Sequence, residues 1–222
     1  MTLSRNVVLP GIAAEYQSFV ELLRGLSDEE WETPSRCAGW RVADVAAHVV
    51  GQLTDVTNFR LEGLGTPEVT RRQVDERRGE GPGVLVDELQ GAAESAGALV
   101  AAFDDDAWSA DGPQGNGTTL GFGLESLWFD TFLHADDIRA ALDQSTVAGD
   151  GVLPSVSHIA QVLTDQGWGP ATLKLEGVDE FPVSGGVGDL ITGDPMTFIL
   201  VSTGRAPAAT MGLDDMVNIY RQ

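Results

Sequence analysis

The 222-residue sequence contains a single cysteine, Cys37, so it cannot form an intrachain disulfide. No run approaches the ~18 consecutive apolar residues of a membrane span. The first residues also lack the basic stretch and apolar segment of a secretory signal. These absences predict a protein of the reducing cytoplasm that crosses no membrane.

Basic residues are scarce: Lys and Arg number 13 against 34 Asp and Glu, and Lys174 is the single lysine. The resulting net charge of −21 repels phosphate backbones and anionic lipid. We therefore expect neither nucleic acid nor membrane as a partner. Apolar residues make up 42% of the chain, enough to bury a sizeable core.

The first two thirds of the chain show apolar residues at helical spacing. Long helices are predicted at about 11–25, 42–63, 84–103 and 118–142. The arginine-rich connection 63–83 is interpreted as exposed and partly helical, and 104–117 as a polar loop. Four helices joined in this way favour a bundle.

A small Gly-containing linker follows Gln144, and the pattern then becomes mixed. We predict a helix at 154–166, a strand at 171–176, a hairpin partner at 180–183 and a further short strand before 193. Asp194 and Pro195 are an N-cap and a first helical residue, so 195–203 is predicted to be a helix, although its β-branched residues leave a strand possible. The prediction is a helical domain, 1–146, and a small α+β domain, 152–222.

Two histidines and an aspartate form the most informative pattern. Asp130 precedes His134 by four residues in a helix that is apolar on most sides, so both side chains share a face. A carboxylate buried there needs a partner. His48 on a neighbouring helix would complete a three-ligand site with open coordination positions, which is typical of catalytic metals.

A purely structural interpretation stays open from the residues alone. An Asp/His pair at this spacing often makes only a hydrogen bond, and His48 could be an ordinary core histidine. We interpret His158 as structural, because no acidic or thiol residue neighbours it in the pattern. Cys37 has no paired histidine in sequence, so we expect it to be inert. The arginines at 71–78 alternate with acids and are interpreted as a solvated loop.

Three segments resemble the DinB-like, mycothiol-dependent maleylpyruvate isomerase family. The segment PSRCAGWRVADVAAHVVG (34–51) is similar to its proline-to-Trp-to-His segment, and FDTFLHADDIRAAL (129–142) to its last bundle helix. The ending GDP…STGR (193–205) is similar to its small C-terminal domain, which is related to sterol-carrier folds. The resemblance implies a mainly α fold, a DinB-like four-helix bundle followed by a small α+β, sterol-carrier-like domain.

The resemblance also implies a chemistry and a site. The family's metal triad falls on His48, Asp130 and His134, with Asp130 where the family has a glutamate. A divalent metal, zinc, and mycothiol as the thiol cosubstrate are implied, in an actinobacterial-type cytosol. The resemblance further implies that Arg205 reaches toward the metal and holds an acidic substrate; an arginine paired with a surface acid is the alternative.

The expected function is therefore a metal- and thiol-dependent isomerase or S-transferase acting on a small acidic or electrophilic substrate. The alternative is a non-catalytic protein of the same fold that binds a metal or an apolar ligand, or a scaffold that has lost its metal. The sequence leaves the substrate and the choice between monomer and dimer open.

Overall fold

The computed structural model describes residues 3–112 and 118–221 of the chain, which divide into two compact units, Ser4–Val147 and 148–221, the latter together with Leu3. In chain order the elements are α1 (Arg5–Arg24), α2 (Asp28–Trp31), α3 (Val42–Thr57), α4 (Pro67–Asp75), α5 (Pro82–Val100), α6 (Asp105–Ser109), α7 (Leu120–Ala141), α8 (Val152–Asp165), β1 (Ala171–Leu175), β2 (Phe181–Val183), β3 (Asp189–Gly193) and α9 (Pro195–Ser202). The predicted fold class, mainly helical with a small C-terminal sheet, is confirmed.

The four long helices α1, α3, α5 and α7 pack in a ring, each against two others, and form the predicted bundle. Helices α1 and α7 approach very closely at Gly11. A Cβ atom at this position would lie 1.8 Å from the ring of Trp128, so only glycine allows the contact. None of the helices in the described residues is both long and apolar enough to span a membrane.

Two helix boundaries differ from those predicted. Helix α1 begins at Arg5 rather than near residue 11, with Pro10 inside it. The proline removes one backbone amide donor from the helix. Val8 and Ile12 on either side are buried, and their packing stabilises the helix across this position. Helix α3 ends at Thr57 rather than 63, because Phe59 takes a left-handed φ of 56° that turns the chain away.

The connection 63–83 is less solvated than expected. It contains α4, which begins at Pro67 after the Thr66 cap and packs on α3. Arg77 is only 8% exposed and pairs with Glu88 through Nη2 at 2.5 Å, so the solvated-loop interpretation is wrong for this arginine. Gln73 is buried in the same interface. Of the predicted loop 104–117, residues 104–112 contain α6, and 113–117 lie outside the described residues.

The second unit contains the sheet, with strand order β2-β1-β3. Strands β1 and β2 form the predicted antiparallel hairpin, with Thr172 opposite Pro182. Strand β3 runs parallel to β1, and α8 packs on β2 and α9. Asp194 Oδ2 accepts the Thr197 amide at 2.6 Å and starts α9, so the segment is the predicted helix rather than a strand. Two 3-10 turns follow, Ala208–Met211 and Asp215–Val217.

Candidate metal centre

His48 on α3 faces Asp130 and His134 on α7 inside the bundle. His48 Nε2 lies 3.3 Å from Asp130 Oδ2, and His134 Nε2 lies 3.6 Å from Asp130 Oδ1. The two imidazole centroids are 5.1 Å apart and the rings are nearly perpendicular, at 84°. The structure thus brings together the three residues that the sequence singles out as metal ligands.

The other ring nitrogen of His48 is held by a neutral amide. His48 Nδ1 lies 2.9 Å from Gln73 Oε1, while Gln73 Nε2 donates to Asp55 Oδ2 at 2.7 Å. Because the Asp55 carboxylate can only accept, the Gln73 amide must present its oxygen to His48. His48 therefore donates from Nδ1 and leaves the lone pair of Nε2 directed toward Asp130. The fully buried Asp55 is balanced by Arg60 at 2.7 Å and Arg72 at 2.6 Å.

The other ring nitrogen of His134 is held by a carboxylate instead. His134 Nδ1 donates to Asp137 Oδ2 at 2.8 Å, one turn further along α7. Asp137 is fully buried, and Arg36 Nε donates to its Oδ1 at 2.5 Å. The Cys37 thiol lies 3.2 Å from Asp137 Oδ2. In its neutral form His134, like His48, therefore directs an Nε2 lone pair toward Asp130.

The three groups form an electron-rich centre. Burial lowers the pKa of His48, but the negative charge of Asp130 and hydrogen bonds that His48 donates to Asp130 and Gln73 outweigh it, so the pKa is raised. With both imidazoles neutral, two nitrogen lone pairs and a carboxylate converge. The site consequently favours a positive charge at its centre, which either a proton or a metal cation supplies.

This donor set suits a transition-metal cation. The ligand atoms of His48, Asp130 and His134 all lie within 4.8 Å of one another. Zinc bonds of ~2.1 Å place two ligand atoms at most ~4.2 Å apart, so the separations of 3.3 and 3.6 Å need little adjustment. Histidines whose other ring nitrogen is hydrogen-bonded to an amide or carboxylate are typical of metal sites.

A second group in the described residues has metal-ligand spacing: Cys37, His134 and Asp137. Asp137 already forms an ion pair with the Arg36 guanidinium, whose positive charge disfavours a further cation at the same carboxylate. We therefore interpret this second group as support for His134 rather than as a separate metal site. The indole of Trp40, in the same loop, lies 5.5 Å from the His48 ring and 6.3 Å from the His134 ring, and so forms one wall of the centre.

The remaining predicted residues belong to the second unit. Arg205 follows Gly204 at the end of α9, is half-buried, and donates from Nη1 to the Thr203 carbonyl at 3.2 Å. His158 lies on α8 and is in neither of the groups with metal-ligand spacing found among the described residues. Its interpretation as structural, and the substrate role of Arg205, stay predictions.

Sequence reasoning missed the supporting residues Gln73, Asp55 and Asp137. Asp137 follows His134 by three residues, so helical spacing could have indicated it. Gln73 and Asp55 are separated by 18 residues, and Gln73 lies in a segment whose sequence indicates an exposed connection. Only the packing of α4 on α3 reveals their role.

Comparison with known proteins identifies relatives by family model and by fold. Residues 12–139, more than half of the chain, match the model of the mycothiol maleylpyruvate isomerase N-terminal domain. A crystal structure of the mycothiol-dependent maleylpyruvate isomerase has a TM-score of 0.62 at 19% identity, covering 92% of this chain and 90% of that one. A histidine-to-alanine mutant of that enzyme gives 0.64 at 19% identity, covering 96% of both. At this identity the likeness shows the fold. No curated protein matches the chain.

Proposed function

Because the chain belongs to the mycothiol maleylpyruvate isomerase N-terminal domain family, we propose that it is a thiol-dependent enzyme that holds a divalent metal, zinc, between His48, Asp130 and His134. One observation carries the proposal: both histidines direct Nε2 to one carboxylate, while buried acceptors fix both Nδ1 atoms. A core histidine with only a structural role needs no such arrangement, and here two histidines show it around the same carboxylate.

Each residue of the centre has a defined task. His48 and His134 would hold the cation through Nε2, and the Asp130 carboxylate would offset its charge. Such a cation, when bound, favours the thiolate form of a sulfur ligand. Gln73 and Asp137 hold the two rings in place through their Nδ1 atoms, and the Trp40 indole lies beside the His48 ring. Three protein ligands leave coordination positions open for a cosubstrate.

The proposed cosubstrate is mycothiol and the substrate is a small electrophile with an acidic group. The thiolate would supply a nucleophile that either adds reversibly to an activated double bond, allowing rotation, or displaces a leaving group. The first reaction is an isomerisation and the second an S-transfer. The family and the fold of the isomerase crystal structures favour isomerisation.

The test combines metal content with thiol dependence. Protein purified without an affinity tag is expected to contain about one zinc per chain, and His134→Ala is expected to lose it. The His158→Ala variant is the matched control and should retain the metal. Turnover of maleylpyruvate is then measured with and without mycothiol. Metal that persists in His134→Ala contradicts the site, and turnover that ignores the thiol contradicts the thiol-dependent function.

We further propose that Arg205 binds the acidic group of the substrate. A guanidinium can hold a carboxylate through two parallel hydrogen bonds, and cations are scarce in 152–222: Lys174, Arg205 and Arg221. Arg205→Ala should raise KM for an anionic substrate and leave the metal content unchanged. Arg221→Ala is the control and should change neither. Equal KM values for the two variants would remove Arg205 from the substrate site.

A further inference from the structure

Asp137 joins the proposed metal ligand His134 to the loop that carries Trp40. We propose that Asp137 is a positioning residue: it orients His134 toward the cation and, through Arg36, fixes the loop of residues 34–41 beside the same centre. This inference rests on the proposed metal site and adds a role for a residue that does not itself bind the metal. The Trp40 indole of this loop lies 5.5 Å from the His48 ring and 6.3 Å from the His134 ring, centroid to centroid.

Asp137 is contacted both by His134 and by the loop of residues 34–41. Its Oδ2 accepts from His134 Nδ1 at 2.8 Å and lies 3.2 Å from the Cys37 sulfur, while Oδ1 accepts from Arg36 Nε at 2.5 Å. A fully buried carboxylate would be costly without such partners. Because Arg36 supplies a full positive charge, Asp137 can stay ionised inside the bundle.

An ionised acceptor affects a metal ligand more than a neutral one. Hydrogen bonds to a charged group are roughly twice as strong as neutral ones, and a carboxylate behind an imidazole increases its basicity toward a metal. His48 has only the Gln73 amide in this position. The two histidines are therefore unequal, and we infer that His134 is the more firmly held of the two.

Asp136 provides a matched control within the same contact. It is the preceding residue of α7, is 2% exposed, and accepts from the same Arg36 guanidinium through Oδ2 at 2.6 Å. Among the described residues, His134 bonds to Asp137 and not to Asp136. A substitution at Asp136 thus perturbs the loop anchor and the buried charge without removing the acceptor of His134.

The experiment compares Asp137→Asn with Asp136→Asn in the full chain. Zinc affinity is measured by competition with a chromogenic chelator, and the visible spectrum is recorded after cobalt substitution. Asp137→Asn is expected to weaken zinc binding by about 10- to 100-fold and to alter the cobalt bands, whereas Asp136→Asn weakens binding by less than about 10-fold and leaves the bands unchanged. Asp137→Glu, which retains the charge, should recover part of the loss. Equal losses and equal spectra for the Asn variants would overturn the proposal.

Wild-type protein decides the question if Asp137→Asn does not fold. With ¹⁵N-labelled histidine, the proposal expects His134 to carry its proton on Nδ1 and to bind zinc through Nε2. A ring that binds zinc through Nδ1 would overturn it. The His134→Ala variant separates this inference from the proposed function. If that variant binds zinc as tightly as wild type, the metal site and the inference both fail; if it does not, equal Asn variants refute the inference alone.

Discussion

Gly51 lies at a close helix contact in the bundle that includes a residue supporting the metal centre. An alanine at this position therefore tests both the helix packing and the support of the metal centre. Gly51 follows His48 by three residues on α3. A Cβ atom there would lie 2.7 Å from Gln73 Cβ and 2.8 Å from Arg77 Nη1. Ordinary contact begins at 3.4 Å, so the two helices must separate by about 0.7 Å (3.4 − 2.7). The Cβ of Gln73 is fixed to the backbone and cannot rotate away.

Two opposing contributions determine the effect of Gly51→Ala on the free energy of unfolding. Alanine in a helix interior is favoured over glycine by about 1 kcal/mol, whereas overpacking a buried contact costs about 1–3 kcal/mol. Because the clash involves a fixed Cβ, we expect the upper part of that range and a net loss of about 1–2 kcal/mol. The displaced Gln73 would also hold His48 less well, so zinc binding should weaken by about 10-fold.

Urea unfolding and zinc competition measure the two effects. The control is Gly91→Ala on α5, where a Cβ atom meets nothing within 4 Å. This variant should gain about 0.5–1 kcal/mol and bind zinc like wild type. If Gly51→Ala is as stable as Gly91→Ala and its zinc affinity is unchanged, the reasoning from the close contact of α3 with α4 is refuted.

Three further predictions concern the thiol, the metal and pH. Cys37→Ser should retain most activity and zinc affinity, because a hydroxyl can also donate to Asp137; a covalent adduct on Cys37 during turnover would contradict this. Chelation should lower Tm, since free zinc at 100 times Kd stabilises the folded protein by about 2.7 kcal/mol; an unchanged Tm in a metal-free sample would refute it. Burial raises the pKa of Asp44, but hydrogen bonds from the Arg41 side chain and backbone outweigh it and the pKa is lowered. Asp44→Asn should therefore unfold at a lower Tm at neutral pH. The difference should begin to shrink as the pH falls through about 4, the ordinary Asp pKa of the unfolded chain, and should vanish only below the lowered pKa of the folded protein. A difference that stays unchanged through this acid range would count against it.

The sequence predicts the bundle well because its helices are long and strongly patterned. Residues 120–141 contain no proline and are apolar on most sides, so α7 is recognised almost to the residue. The end of α3 is not recognised, because it depends on a left-handed backbone conformation at Phe59 that a non-glycine residue rarely adopts. Gly11 likewise suggests a helix start in the sequence, whereas the structure uses it as the contact point for Trp128.

The two kinds of site residue differ in how far sequence can predict them. Asp130 and His134 share one helix, so their spacing alone places them on one face. The roles of Gln73 and Asp55 depend on the packing of α4 against α3, and no periodicity carries that information. Arg77 shows the same limit: beside acids in sequence it suggests a solvated arginine, yet it is buried by the same helix pair.

The resemblance to the family implies a glutamate where this chain has Asp130, and the geometry around Asp130 limits the consequence of that difference. Both imidazoles are held through Nδ1, by Gln73 at 2.9 Å and by Asp137 at 2.8 Å. Neither ring can therefore move away to make room for a longer carboxylate without losing its hydrogen bond. The shorter side chain of Asp130 already approaches both Nε2 atoms, at 3.3 and 3.6 Å. An Asp130→Glu substitution would thus have to fit an extra methylene between two fixed rings. For this reason, we expect the aspartate to affect which cation is preferred rather than whether the three donors can meet.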